Sequence, residues 1–230
     1  MNIAIITARG GSKRIPQKNI KHFCGKPILE YSILAALNSE EFDEVMVSTD
    51  DEIIATIARQ CGANVPFLRS EKTSGDFSTT SDVLIEVINQ YKAMGKVYDY
   101  GCCIYPTAPF VTAEKLKYAM NLLEEKNADT VMPVVKFSFP PQRCVIIEDN
   151  KLKMKWPQYL NSRSQDLEPF YHDCGQYYGF NVYKFLQNGK LLSDNTVSII
   201  TPELEVQDID SIEDWEIAEI KYQMLQKKMK

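Results

Sequence analysis

Three short runs of apolar and β-branched residues, Asn2–Thr7, Glu44–Ser48 and Tyr100–Tyr105, each end in polar or turn residues. The stretches between them carry apolar residues at helical spacing. This alternation limits the fold more than any other feature. Consecutive parallel strands cannot be joined by a tight turn and need a crossover helix. Strands alternating with helices from residue 2 to about residue 136 therefore predict βαβ units and a sheet covered on both faces.

The helical patterns are specific. Pro27 stands where a first helical residue belongs, and Leu29, Ile33, Leu34 and Leu37 follow on one face. Val83, Leu84, Val87, Ile88 and Tyr91 form a second stripe, with an N-cap supplied from the cluster Ser78–Ser81. Thr112 caps a third helix, with Glu114 in its first turn and Leu116, Ala119, Met120 and Leu123 as its stripe. From Phe137 to about Phe180 the pattern changes to prolines, aromatics and short alternating stretches, Cys144–Ile147 and Leu152–Trp156. The chain closes with a strand at Val197–Thr201 and a helix striped by Trp215, Ala218, Tyr222, Leu225 and Met229. The expected fold class is α/β: a doubly wound, mostly parallel, Rossmann-like sheet in a single domain over 1–230, with a β-rich arm inserted at about 137–180.

Composition excludes several function classes. A chain of 230 residues, 44% of them hydrophobic, can bury a full core. Its net charge of −5, with both signs spread along the sequence, argues against nucleic acid as a partner. The apolar run at Met1–Ile6 has no basic leader and is too short for a signal peptide or a membrane span, so a cytoplasmic location and no membrane contact are expected. Cys24, Cys61, Cys102, Cys103, Cys144 and Cys174 form no CxxC pair, and reduced thiols are expected. With only His22 and His172 as imidazoles, zinc is a poor fit, and any metal is expected on carboxylates.

In an open α/β sheet, ligands bind beyond the carboxyl ends of the strands. The loop after the first strand reads Ala8-Arg9-Gly10-Gly11-Ser12-Lys13-Arg14-Ile15-Pro16-Gln17-Lys18-Asn19. Its two glycines let backbone N–H groups approach a ligand, and Arg9, Lys13, Arg14 and Lys18 bring four cations to one loop of an acidic chain. That suits a polyphosphate, although the spacing is neither of the common phosphate-loop patterns. A solvated basic turn is the alternative. Asp208-Ile209-Asp210 follows a strand-like Glu205–Gln207; carboxylates one residue apart on extended chain face the same side and can share Mg²⁺ with substrate phosphates. An ordinary capping turn before Ser211 explains the same residues. Gln142, Arg143, Arg163 and Gln165 place amides and guanidinium groups in the inserted region, where they could hold a carboxylate or sugar hydroxyls. The stretch Tyr171, Tyr177, Tyr178 and Phe180 reads first as packing, with Gly175 and Gly179 allowing close approach.

These motifs, in this order, resemble the CMP-sugar synthetases for eight- and nine-carbon 2-keto acids, the acylneuraminate and Kdo cytidylyltransferases. Ile6–Asn19 is similar to that family's nucleotide loop, Val47–Asp50 and Arg69–Glu71 to later signatures, and Asp208–Asp210 to its metal-binding D-x-D. Tyr105–Phe110, Phe139–Arg143 and Arg163–Leu167 most resemble the members that act on pseudaminic acid. Tyr105 and Cys174 stand where sialic acid enzymes usually have Gln and Asn.

The resemblance implies a nucleotide-diphospho-sugar transferase-like fold and a homodimer whose inserted arm reaches the partner's site. It implies transfer of CMP from CTP to a nine-carbon 2-keto sugar acid, with Mg²⁺. Arg9, Lys13 and Lys18 would then contact the triphosphate, and Ala8, Gly10, Gly11, Ser12 and Asn19 would shape the nucleotide pocket with Arg69 and Thr80. Asp208 and Asp210 would bind the metal. Arg9, Lys18, Asp208 and Asp210 would form the catalytic set. Tyr105, Gln142, Arg143, Arg163, Gln165, Gln176 and Tyr178 would line the sugar site. N-acetylneuraminic acid, legionaminic acid and Kdo are the rival sugars. A silent nucleotide-binding module is the rival class.

Overall fold

The computed structural model describes residues 1–228, so Met229 lies outside the described residues. In chain order, β1 (Asn2–Thr7) is followed by a small ribbon of β2 (His22–Phe23) and β3 (Lys26–Pro27), then α1 (Ile28–Ser39), β4 (Glu44–Ser48) and α2 (Glu52–Gln60). Next come the single turn α3 (Glu71–Ser74), α4 (Thr80–Ala93), β5 (Tyr100–Ile104), α5 (Ala113–Glu125) and β6 (Thr130–Lys136). A hairpin of β7 (Val145–Glu148) and β8 (Lys151–Met154) precedes β9 (Tyr171–Asp173), β10 (Tyr177–Asn181), α6 (Val182–Asn188), β11 (Thr196–Ile200) and α7 (Ile212–Lys228).

The central sheet runs β11-β6-β10-β5-β1-β4, with β9 also paired to β6. β1 lies parallel to both β4 and β5, and β11 parallel to β6. β10 is antiparallel to its neighbours β5 and β6. The sheet is thus α/β and mostly parallel, as the alternation predicts. Ile3, Ile5, Ile6 and Val47 are wholly buried because helices cover both faces. One face packs on α1, α2 and α5 through Leu29, Ile33, Ala55, Leu116 and Leu123. The other packs on α4 and α6 through Leu84, Val87, Tyr91 and Phe185.

The helix signals mostly coincide with the elements, with local corrections. Pro27 precedes the first helical residue of α1, and Leu37 is exposed because the buried face turns to Ala35 and Ala36. Thr79 caps α4 in a reciprocal capping box with Asp82, and Thr112 caps α5. Tyr105 lies just beyond the end of β5, and Thr201 just beyond β11.

The inserted arm is shorter than expected. It ends near Phe170, because β9 pairs antiparallel with the C-terminal half of β6, and β10 then enters the central sheet between β5 and β6. Tyr177, Tyr178 and Phe180 are consequently buried core residues. A chain that leaves at the carboxyl end of β6 and returns beside it must run antiparallel, which explains the exception to the parallel pattern. Within the arm, β7 and β8 join through Asp149 and Asn150, both at positive φ, as a two-residue hairpin turn requires. All six cysteines are free. None of the described helices is long and apolar enough to cross a membrane.

Candidate active site

A cleft of about 540 Å³ opens beyond the carboxyl ends of β1 and β5. Arg9, Ser12, Lys13, Arg14, Lys18 and Asn19 from the loop after β1 form one wall. Arg69, Asp76, Thr80, Tyr105 and Asp210 complete it. Residues from opposite ends of the chain, Arg9 and Asp210 among them, thus face one space, and a third apolar cluster explains how. Ile15 of the loop, Phe23 and Ile28, Ile209 of the D-x-D segment, and Trp215 and Ala218 of α7 are all buried against one another. Buried Ile209 sits between the two carboxylates and anchors them, as Ile15 anchors the cations.

Polar contacts fix the loop further. Lys18 Nζ donates to the carbonyl of Ile209 at 2.7 Å and lies 3.7 Å from the Asp210 carboxylate. Arg14 pairs with Asp210 at 2.7 Å. Buried Asn19 donates to the carbonyl of Arg9 at 2.8 Å, closing the loop on itself. Gln17 at positive φ supplies the reversal before the short 3-10 turn Lys18–Ile20. Arg69 is buried, donating to the hydroxyl and carbonyl of Ser48, and burial holds its guanidinium below the usual range despite nearby Asp50.

The glycines do different work from that expected. A side chain at Gly10 would collide with Asp51, and the Gly10 N–H donates to Asp50 at 2.8 Å, so this glycine allows the loop to lie on the start of α2. Gly11 faces open space, and neither residue is among those lining the cleft. Ala8 is buried in the core, its N–H donating to the Ser48 carbonyl.

Asp208 and Asp210 follow a 3-10 turn, Glu203–Glu205, and an irregular extended segment rather than a strand. Asp210 faces the cleft, whereas Asp208 lines a neighbouring cavity of about 210 Å³ with Lys136, His172 and Lys221. Burial, and then the charge of Asp210, raise the Asp208 carboxyl above the usual carboxylate range. The capping role that competed with metal binding belongs to Ser211 and Asp214: the Ser211 hydroxyl accepts from the Asp214 N–H at 3.2 Å, and the Asp214 carboxylate accepts from the Ser211 N–H at 2.8 Å.

Of the residues expected at a sugar site, Tyr105 lines the cleft. Its hydroxyl is 3.2 Å from Thr80, and its ring packs edge-on against Tyr178 with centroids 5.5 Å apart. Tyr178 stands behind it and donates to Asp173 at 2.6 Å; burial pushes the pKa of both phenols up, so each keeps its proton. Gln176 is buried beside them, donating to the carbonyl of Glu205 while its side-chain oxygen has no partner. Gln142, Arg143, Arg163 and Gln165 lie on the arm and do not line the cleft. Gln142 donates to the Glu168 carbonyl, Arg143 to Ser164, and Arg163 pairs with Asp166. Asp76 and Asp173 were not anticipated, because neither stands in a spacing pattern; only tertiary contact gives them partners.

A family model described as cytidylyltransferase matches residues 3–190. The chain belongs to the cytidylyltransferase family. Among curated relatives, the pseudaminic acid cytidylyltransferase of Campylobacter jejuni is 38% identical over 97% of each chain. The CMP-N,N'-diacetyllegionaminic acid synthase of Legionella pneumophila is 33% identical over 94% of each. Among solved structures, a CMP:2-keto-3-deoxy-manno-octonic acid synthetase complexed with CTP superposes with a TM-score of 0.69 at 16% identity, covering 98% of this chain and 99% of that one. A 4-diphosphocytidyl-2C-methyl-D-erythritol synthase from Anaerococcus prevotii superposes with a TM-score of 0.62 at 17% identity. As a cytidylyltransferase, the chain is a nucleotidyltransferase, and its cation-lined cleft lies where the α/β sheet places ligands.

Proposed function

We propose that this cytidylyltransferase transfers CMP from CTP to the anomeric hydroxyl of a nonulosonic acid, pseudaminic acid, releasing pyrophosphate. The observation that carries the reading is the cleft itself, in which Arg9, Lys13, Arg14 and Lys18 converge with Asp210 beside Tyr105. The likeness to pseudaminic acid cytidylyltransferases across nearly the whole chain supports the choice of sugar.

Transfer at phosphorus asks the protein mainly to position the reactants and neutralise charge. Arg9 and Lys13 hold the outer phosphates, and Lys18 bears on the α-phosphate because the Ile209 carbonyl and Asp210 fix its ammonium group. Arg69 and Thr80 face the cytidine side, with Asn19 and Ser12 setting the shape of the loop. Tyr105, backed by Tyr178, bounds the space for the sugar.

The residues present fit Mg²⁺. Burial and then the charge of Asp210 disfavour ionisation of Asp208, so a cation between the two carboxylates, one in each of two neighbouring cavities, would relieve that cost, and Mg²⁺ commonly takes one or two carboxylates plus phosphate oxygens and water. No third His, Cys, Asp or Glu joins them among the described residues. Held by Asp208 and Asp210, the ion would supply charge neutralisation at the phosphates and ease loss of the acceptor's proton.

We propose further that the chain works as a single catalytic domain and as a homodimer. The exposed apolar residues Val145, Ile147 and Leu152 of the arm hairpin support a second copy as partner. Gln142, Arg143, Arg163 and Gln165 would then serve the partner's sugar site. Six free thiols support a reducing compartment, the cytoplasm.

The test is pyrophosphate release from CTP with pseudaminic acid, N-acetylneuraminic acid, legionaminic acid and Kdo in parallel, with detection of each CMP-sugar. Turnover with pseudaminic acid at the highest kcat/KM is expected. Preference for another acid would replace the sugar, and no turnover with any would overturn the reading.

A further inference from the structure

Asp76 lies on the cleft wall, on the segment between α3 and α4, and each of its carboxylate oxygens holds one loop cation. Oδ1 accepts from Arg9 at 2.9 Å, and Oδ2 accepts from Lys13 at 2.5 Å. Stability of the fold does not explain the arrangement, because the side chains of Lys13 and Asp76 are 77% and 47% exposed and such pairs contribute little. The other loop cations are engaged elsewhere: Arg14 by Asp210 and Lys18 by the Ile209 carbonyl. Arg14 and Lys18 approach one oxygen of Asp210, at 2.7 and 3.7 Å, whereas Asp76 gives a separate oxygen to each of Arg9 and Lys13. Two acceptor oxygens on one carbon, spanning two cationic donors, reproduce what a terminal phosphate group offers the same donors. Hydrogen bonds from Lys13 and then Arg9 hold the Asp76 carboxyl below the usual range, so it is an anion throughout the neutral region.

We propose that Asp76 is an exchangeable counter-anion: in the nucleotide-free cleft it occupies the place of a phosphate group, and an entering polyphosphate displaces it from Arg9 and Lys13. The inference rests on the assignment of those two cations to the triphosphate made above. It has two consequences. Asp76 lowers the affinity for CTP by competing for the cations. It also lowers the affinity for pyrophosphate, taking back Arg9 and Lys13 as that product leaves.

The experiment uses Asp76→Asn, which keeps the shape and removes the charge, in the full chain. Melting-temperature shifts are titrated with inorganic pyrophosphate without metal, and steady-state kinetics follow with CTP and the preferred sugar acid. Asp76→Asn is expected to bind pyrophosphate about three- to tenfold more tightly, with a matching fall in the KM for CTP, the scale set by exposed ion pairs. Asp76→Glu keeps the counter-charge and is expected to remain near the wild type. Unchanged or weaker pyrophosphate binding by Asp76→Asn would overturn the proposal and make Asp76 a residue that orients the two cations. Equal tightening by Asp76→Glu would overturn it as well. Pyrophosphate binding is read without turnover, so failure of the CTP assignment would appear separately, as absent wild-type catalysis.

Discussion

Replacing Gly10 by alanine tests whether that glycine serves the ligand or the protein. An added Cβ would lie 2.9 Å from both Cβ and Oδ2 of Asp51, closer than real Cβ contacts come. Asp51 cannot simply turn away, because its carboxylate caps α2, accepting from the N–H groups of Ile53 at 2.7 Å and Ile54 at 3.2 Å. Either the cap yields, which costs about 1 kcal/mol, or the loop shifts with an overpacking cost of about 1–3 kcal/mol. At roughly 2–4 °C per kcal/mol for a chain of this size, the melting temperature should fall by about 2–12 °C. Gly11→Ala meets nothing within 4 Å and needs no positive φ, so it should stay within about 0.5 kcal/mol of the wild type. Removing the Asp51 side chain should relieve the collision: glycine is a tolerable N-cap, and Gly10→Ala with Asp51→Gly should cost less than the sum of the two single changes. Thermal melts of the four variants decide the matter. Equal melting temperatures for Gly10→Ala and Gly11→Ala would refute the reasoning.

Lys18→Ala should reduce turnover by at least about 10²-fold, as loss of one positioned charge in an active site does, and near-normal kcat in the pyrophosphate assay would remove Lys18 from the catalytic set. Tyr178→Phe loses the hydroxyl that donates to Asp173 and so loosens the ring behind Tyr105. The KM for the sugar acid should rise severalfold with the KM for CTP little changed, and an equal rise in both would contradict the division of the site. Burial alone would raise the Glu44 carboxyl, but hydrogen bonds from Lys96 and Asn64 outweigh it and hold the group below its ordinary value. That stabilisation is full above the unfolded-state value and is lost as pH falls through the depressed folded one. Lys96→Met should cost about 1–3 kcal/mol near neutral pH, and the deficit should shrink as pH falls and Glu44 protonates in both proteins, which urea denaturation across the acid range would measure.

Much of the fold was legible because local signals agreed with the global arrangement. Buried strands such as Asn2–Thr7 are continuous apolar runs, and Thr79 and Thr112 start their helices by accepting backbone N–H groups on their own hydroxyls. The return through β9 and β10 was not legible. Tyr177, Tyr178 and Phe180 are apolar whether they pack in an arm or in a sheet, and only pairing with β5 and β6 tells the two apart. The exposure of Leu37 was missed for a related reason, since helical spacing gives a face but not which side of it meets α5.

The sequence by itself determined the chemistry carried on single segments: four cations in the loop after β1 and two carboxylates on one short stretch. Those are properties of spacing and composition, which need no fold to be read. Tertiary structure alone decided which charges meet. Burial of Ile15 and Ile209 in one cluster brings the cations to Asp210, packing of the loop on α2 gives Gly10 its purpose, and a turn before α4 sets Asp76 between Arg9 and Lys13. Apolar burial is non-directional and acts between any segments that pack, so the partners of a charge depend on where the core draws its backbone.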